Sequence, residues 1–286
     1  MCTLGDMVTF LALLSSALWG TADYHGGKLS KSHPAIAVLG VTQAIGLLFG
    51  IGLVAANGDY SAPAFGADGY FIPGAFAGIC GYLGLMCLYA GLSTGRMGVV
   101  APVSSLSALI PVAYAFFVKG DRLSIMLSIG AALAFLGAFL ASGPEISQGL
   151  PIKPLILALG AAAGFGSALT FIAIGSEGSA LMTMVMMRAT TLCVSIAIFA
   201  KYKTLGGLNF KQSPILIFIG VADFLANLLL GVAISKGNLT LAMVLGSLYP
   251  IFTALLAFRF LHERLHKVQY IGIGAAVTGV AIISAF

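Results

Sequence analysis

The sequence predicts an all-α membrane protein of ten transmembrane helices, built as two inverted five-helix repeats. Three observations predict it: a shortage of charge, a series of apolar stretches of spanning length, and an internal duplication. Of 286 residues, 59% are hydrophobic and 8% charged, with 14 Lys plus Arg against 9 Asp plus Glu. Mean hydropathy is +1.06. A soluble domain carries roughly 25% charged residues, so too little polar surface exists here to cover a particle in water. The basic excess comes from residues scattered singly along the chain. That pattern excludes a nucleic-acid stripe and fits topology signals and contacts to anionic lipid at helix ends.

A spanning helix needs about 20 mostly apolar residues. Ten stretches qualify: 7–26, 34–56, 70–91, 97–118, 123–142, 152–174, 179–201, 214–236, 239–260 and 268–286. The first follows Asp6 without a basic leader, so it reads as a retained helix rather than a cleaved signal, ending at Gly26-Gly27. His33-Pro34 opens the second and Asn57-Gly58 closes it. The third carries Gly78, Gly81 and Gly84 on nearly one face, as close approach between membrane helices requires. Pro102 and Pro111 interrupt the fourth and Pro250 the ninth, freeing carbonyls and permitting bends. Gly143-Pro144 ends the fifth and leads into the sixth. Gly206-Gly207 and Ser213-Pro214 separate the seventh from the eighth. Gly272 and Gly279 share a face of the tenth. The connections are too short for a soluble domain, and the alternating polarity of a membrane β-barrel is absent. Cys2, Cys80, Cys87 and Cys193 show no CxxC spacing, which predicts free thiols with no disulfide or metal role.

Shifting the chain by 142 residues superposes its two halves. Ser105-Leu106 meets Ser247-Leu248, Ala115-Phe116 meets Ala257-Phe258, and Asp121-Arg122-Leu123 meets Glu263-Arg264-Leu265. Ile129-Gly130 meets Ile271-Gly272, and Gly137 meets Gly279. Nearer the start the shift is 145–146, pairing Trp19-Gly20 with Phe165-Gly166 and Gln43 with Arg188. The repeats are 1–146 and 147–286. Five spans per repeat is an odd number, so the second copy enters the membrane with opposite orientation. Such inverted repeats recur in secondary transporters, with the substrate site near the midplane between the halves.

Trp19-Gly20 towards the end of the first helix, Leu88-Tyr89-Ala90-Gly91-Leu92 at the end of the third, and the acidic-Arg-Leu turn after each fourth helix resemble the drug/metabolite transporter superfamily, EamA type. The likeness covers essentially the whole chain. It implies a ten-helix inner-membrane carrier of five-plus-five inverted halves that exports small metabolites. It also implies a central cavity lined by helices one, three, four, six, eight and nine. Pro250 departs from the repeat: its counterpart is Ala108, with Pro111 three residues later.

Charged residues at a bilayer centre cost around 2.5–3.5 kcal/mol and mark function. Arg188 lies nine residues into the seventh span and Asp223 nine into the eighth, about 20 and 14 Å from their shared loop at 1.5 Å per residue. They read either as a buried ion pair pinning two helices or as a site for substrate charge or a coupling proton. Asn227 falls one turn beyond Asp223 on the same face. Asp23 shares a helix face with Trp19, as an interfacial carboxylate or as a substrate ligand near the helix end with the indole stacking beside it. Gln43, the partner of Arg188 in the repeat, and Tyr82, counterpart of Phe224, complete the candidate substrate site. No cofactor is expected, and the absence of an ATP-binding motif points to proton or exchange coupling. The expected partners are a small solute, amino-acid-like or otherwise amphipathic, and the lipid bilayer, for a monomer or homodimer.

His262-Glu263-Arg264-Leu265-His266 matches the zinc-hydrolase pattern H-E-x-x-H, which offers an alternative reading as a membrane-embedded hydrolase. The corresponding Lys119–Ser124 segment keeps the acidic-Arg-Leu core without either histidine. The glutamate is therefore explained by the repeat.

Overall fold

The computed structural model describes residues 4–30, 32–58, 62–92, 103–104, 106–141, 152–202, 207–260 and 266–285, and these residues form no strand. Helices run over Leu4–Ser30 (α1), Ala35–Asn57 (α2) and Phe71–Leu92 (α3). Next come Leu109–Tyr114 (α4), continued by a wider turn Ala115–Lys119, and Ile125–Ala141 (α5). The second half holds Ile152–Tyr202 (α6), Ser213–Lys236 (α7), Leu239–Gly246 (α8), Tyr249–Phe260 (α9) and Lys267–Ala285 (α10). Among the described residues, Ile36–Asn57, Phe71–Leu88, Leu155–Ala197 and Phe210–Lys236 are long and apolar enough to cross a membrane.

Two boundaries differ from the sequence reading. α1 continues through Gly26-Gly27 to Ser30. A glycine costs a helix roughly 1 kcal/mol relative to alanine. In an apolar setting that is less than the cost of leaving backbone groups unpaired. The second difference lies at the sixth and seventh stretches, which form one element bent at Ser179. Its φ of −159° and ψ of 111° leave the helical region. The Ser179 hydroxyl accepts the Met182 N–H at 3.2 Å, capping the arm that follows.

The glycines define how the helices meet. α3 passes Gly84 against Phe165, Gly81 against Ala168, Gly78 against Thr190 and Gly74 against Met186. α3 therefore runs antiparallel to the first arm of α6 and parallel to the second, so the bend at Ser179 reverses the chain. A Cβ on Gly164 would stand 2.6 Å from Gly84 Cα, closer than real side chains come. The expected packing face of Gly78, Gly81 and Gly84 is thus present. Gly137 of α5 meets Gly272 and Ala276 of α10, while Gly279 of α10 meets Gly130 and Ala134 of α5. Each contact is the other shifted by 142 residues.

The breaks in the fourth and ninth stretches fall at matching places. A tight turn at Leu106–Ala108 precedes α4, and the gap between α8 and α9 falls at Ser247-Leu248. The prolines do not correspond, yet the interruptions do. The buried Ser16 hydroxyl of α1 donates to the carbonyls of Leu245 and Gly246, at the edge of the second break.

Candidate functional site

Asp223 is the centre of a polar network inside this apolar bundle. Its Oδ2 accepts from Arg188 Nη2 at 2.7 Å. Its Oδ1 accepts from Trp19 Nε1 at 3.2 Å and from Asn227 Nδ2 at 3.3 Å. Arg188 Nη1 donates to Gln43 Oε1 at 2.7 Å, and that oxygen also accepts the Thr191 hydroxyl at 3.0 Å. Arg188, Gln43, Asn227 and Thr191 are buried. The Arg188 side chain is 4% exposed and that of Asp223 27%. Arginine is the expected partner at such depth, because its planar fork serves two acceptors at once.

Helix packing explains the convergence. α1 runs against α7, with the buried Ser15 hydroxyl donating to the Ala226 carbonyl at 2.7 Å. That register sets Trp19 opposite Asp223. A Cβ on Gly20 would lie 2.6 Å from the Tyr249 carbonyl oxygen, so glycine here lets α9 approach α1. The Trp19 and Tyr249 rings consequently meet edge to face, with centroids 6.2 Å apart. The two rings also border a small cavity with room for about one water, lined further by Leu169, Met243 and Ser247. On the far side, Gly50 leaves space for the fully buried Phe224 ring next to Asp223.

Asp23 lies one turn beyond Trp19. Its side chain is exposed, while its neighbours Ala22 and Tyr24 are buried. It stands within electrostatic range of Asp223 and Tyr249. It is not at the helix end, because α1 extends seven residues further. Tyr82 stands apart from the network. It is buried in α3 beside Ser195, whose own hydroxyl donates to the Thr191 carbonyl. Sequence reasoning missed Tyr249 and Thr191. The only signal for Tyr249 was its place before Pro250 in an interrupted stretch.

A second polar cluster lies at the opposite end of α1 and α7. Lys119 and Glu177 form an ion pair. Asp121 Oδ2 accepts from the backbone N–H and the hydroxyl of Thr240, each at 3.2 Å. Asp121 thereby caps the N-terminus of α8 alongside Asn238, which accepts the Leu241 N–H at 3.0 Å. Arg122 folds back over the Phe116 ring at 4.5 Å, and Leu123 packs on the core. The acidic-Arg-Leu turn of the first half is therefore a clasp on the second. Its counterpart Glu263-Arg264-Leu265 lies outside the described residues, as does His262. His266 is exposed at the start of α10, its backbone N–H donating to Gln269 at 2.9 Å. Among the described residues no three His, Cys, Asp or Glu side chains gather as a metal site.

Apolar helices of spanning length packed around a partly buried ion pair define a multi-pass membrane protein. The model of the EamA-like transporter family matches residues 7–143 and again 152–285. The chain belongs to this family of membrane transporters. An uncharacterized protein of Methanocaldococcus jannaschii is 28% identical over 130 residues, which cover 46% of this chain and 95% of that protein. A solved crystal structure superposes with a TM-score of 0.75 at 17% identity, covering 98% of this chain and 96% of its own. At that identity the likeness concerns the fold alone.

Proposed function

We propose that the protein is a secondary carrier of the inner membrane that exports small amphipathic solutes by alternating access, with ten crossings in two inverted repeats, 1–146 and 147–286. The paired contacts of Gly137 and Gly279 support the two-fold relation, because residues equivalent in the repeat exchange the same neighbours. Gln43 and Arg188, also equivalent, touch one another, as residues beside a two-fold axis do. The relative that matches over almost its full length is the size of one repeat.

The observation that carries the carrier reading is the Arg188–Asp223 pair, set between helices with Arg188 buried and Asp223 partly exposed. A purely apolar clamp would pack these helices as well, since ion pairs add little stability at depth. Trp19, Asp23, Gln43, Arg188, Asp223 and Asn227 form the substrate site in this reading, with Tyr82 at its margin. The Lys119–Glu177 and Asp121–Thr240 contacts join the two halves at the opposite end, where Lys119, Asp121 and Glu177 border a cavity of about 370 Å³. No observation favours the zinc hydrolase. The test is uptake by proteoliposomes from a small-metabolite panel, with and without a proton gradient. Saturable flux with counterflow supports a carrier, flux without saturation indicates a channel, and no flux for any solute removes the proposal.

A further inference from the structure

α4 is bracketed by two irregular turns. The tight turn Leu106–Ala108 precedes it and the wide turn Ala115–Lys119 follows, leaving Leu109–Tyr114 as regular helix. Turns of these kinds inside a helix mark hinges and functional sites, and Pro111 lacks the N–H for a backbone bond within α4. At the tight turn the segment is pinned. A Cβ on Gly166 of α6 would stand 2.6 Å from the Ser107 carbonyl oxygen and 2.6 Å from Ile110. At the other end packing is looser: Ala115 of the wide turn is buried, while Phe116, Phe117 and Val118 are exposed. That end is tied to the second half by Lys119 on Glu177 of α6 and by Asp121 on Thr240 of α8.

Two voids lie along the same seam. The cavity of about 370 Å³ is bordered by Lys119 and Asp121 from the first half and by Glu177, Ile234 and Leu239 from the second. The one-water cavity beside Trp19 is bordered by Ser107 and Ala108 from the first half and by Leu230 and Met243 from the second. Leu230 and Ile234 are one turn apart on α7, about 6 Å at 1.5 Å per residue, so a thin apolar layer separates the voids. Interiors hold few voids, and here the segment from Ser107 to Asp121 borders both. Building on the carrier reading above, we propose that α4 is a gate, hinged at Ser107 and latched by the Lys119–Glu177 and Asp121–Thr240 contacts. When the latch parts, the larger cavity joins the smaller and reaches Trp19. The side chains of the ion pair are 36% and 44% exposed. Pairs so solvated hold weakly, which lets the latch part and re-form in each cycle.

Trp19 is the sole tryptophan of the chain, so quenching of intrinsic fluorescence by acrylamide measures access to it without any knowledge of the solute. Lys119→Gln and Glu177→Gln should each raise the quenching constant of the purified protein about twofold or more, at nearly unchanged melting temperature. The charge swap Lys119→Glu with Glu177→Lys should return it to the wild-type value. Lys153→Gln removes an exposed charge at the far end of the same arm of α6 and should change nothing. Wild-type quenching in both single variants, a swap quenched as strongly as the singles, or an equal rise in Lys153→Gln would overturn the proposal. If the swap fails to fold, the two single variants and the Lys153→Gln control decide. The carrier reading fails by a different result: a latch that behaves as expected in a protein without saturable counterflow in liposomes.

Discussion

Removing Asp223 and removing Arg188 are not equivalent perturbations, because the two side chains differ in exposure and in remaining partners. In Asp223→Asn the guanidinium keeps Gln43 and a weak contact to the residue-223 carbonyl at 3.4 Å, at 4% exposure. Leaving one member of a buried pair unpaired costs about 3–5 kcal/mol. In Arg188→Gln the Asp223 carboxylate keeps Trp19 and Asn227 as donors and is 27% exposed. The loss there is nearer to one charged hydrogen bond, about 1.5–3 kcal/mol. Asp223→Asn should therefore lower thermal stability in detergent more than Arg188→Gln. The double variant should recover most of the loss, since neither charge is then stranded. Expression and melting by fluorescence-detected size exclusion measure stability, and proteoliposome counterflow measures transport. The double variant is expected to fold and remain inactive, since an amide pair no longer holds the charge arrangement around Trp19. A larger destabilisation from Arg188→Gln would refute the exposure argument. Wild-type transport by Asp223→Asn would move the site to Asp23 alone.

Other outcomes follow from the same geometry. Gly164→Val should destabilise the fold by about 1–3 kcal/mol, since its side chain would collide with the Gly84 backbone, whereas Gly52→Ala, with open space around it, should be neutral or slightly stabilising in thermal melts. Asp121→Ala should cost about 1 kcal/mol through loss of the cap on α8, while Lys119→Gln, whose ion pair is partly exposed, should change stability by less than about 0.5 kcal/mol. His262→Ala and His266→Ala should leave transport nearly intact, and stoichiometric zinc in the purified protein would revive the hydrolase reading.

How much was legible beforehand depends on the range of the interaction. Membrane residence follows from composition, which is additive along the chain. The repeat follows from residue identity at a fixed offset, as with Asp121-Arg122-Leu123 and Glu263-Arg264-Leu265. The rarity of charge in apolar stretches singled out Arg188 and Asp223, because burying such groups demands a reason. Local turn chemistry was a weaker guide. Gly26-Gly27 reads as a break and is helix, since backbone pairing in an apolar surround outweighs glycine's preference.

What only the tertiary structure decided is which distant side chains meet. Trp19 and Asp223 are 204 positions apart, and Asp121 and Thr240 119 apart. No periodicity within one helix encodes the register between two. That register is set where backbones approach closely, at Gly20 beneath Tyr249, Gly50 beneath Phe224 and Gly164 beneath Gly84. Small residues mark where helices touch without saying which helices they are. The sequence by itself determined a duplicated membrane bundle and its polar exceptions. Packing alone decided that Asp223 is met by Arg188, Trp19 and Asn227 at once.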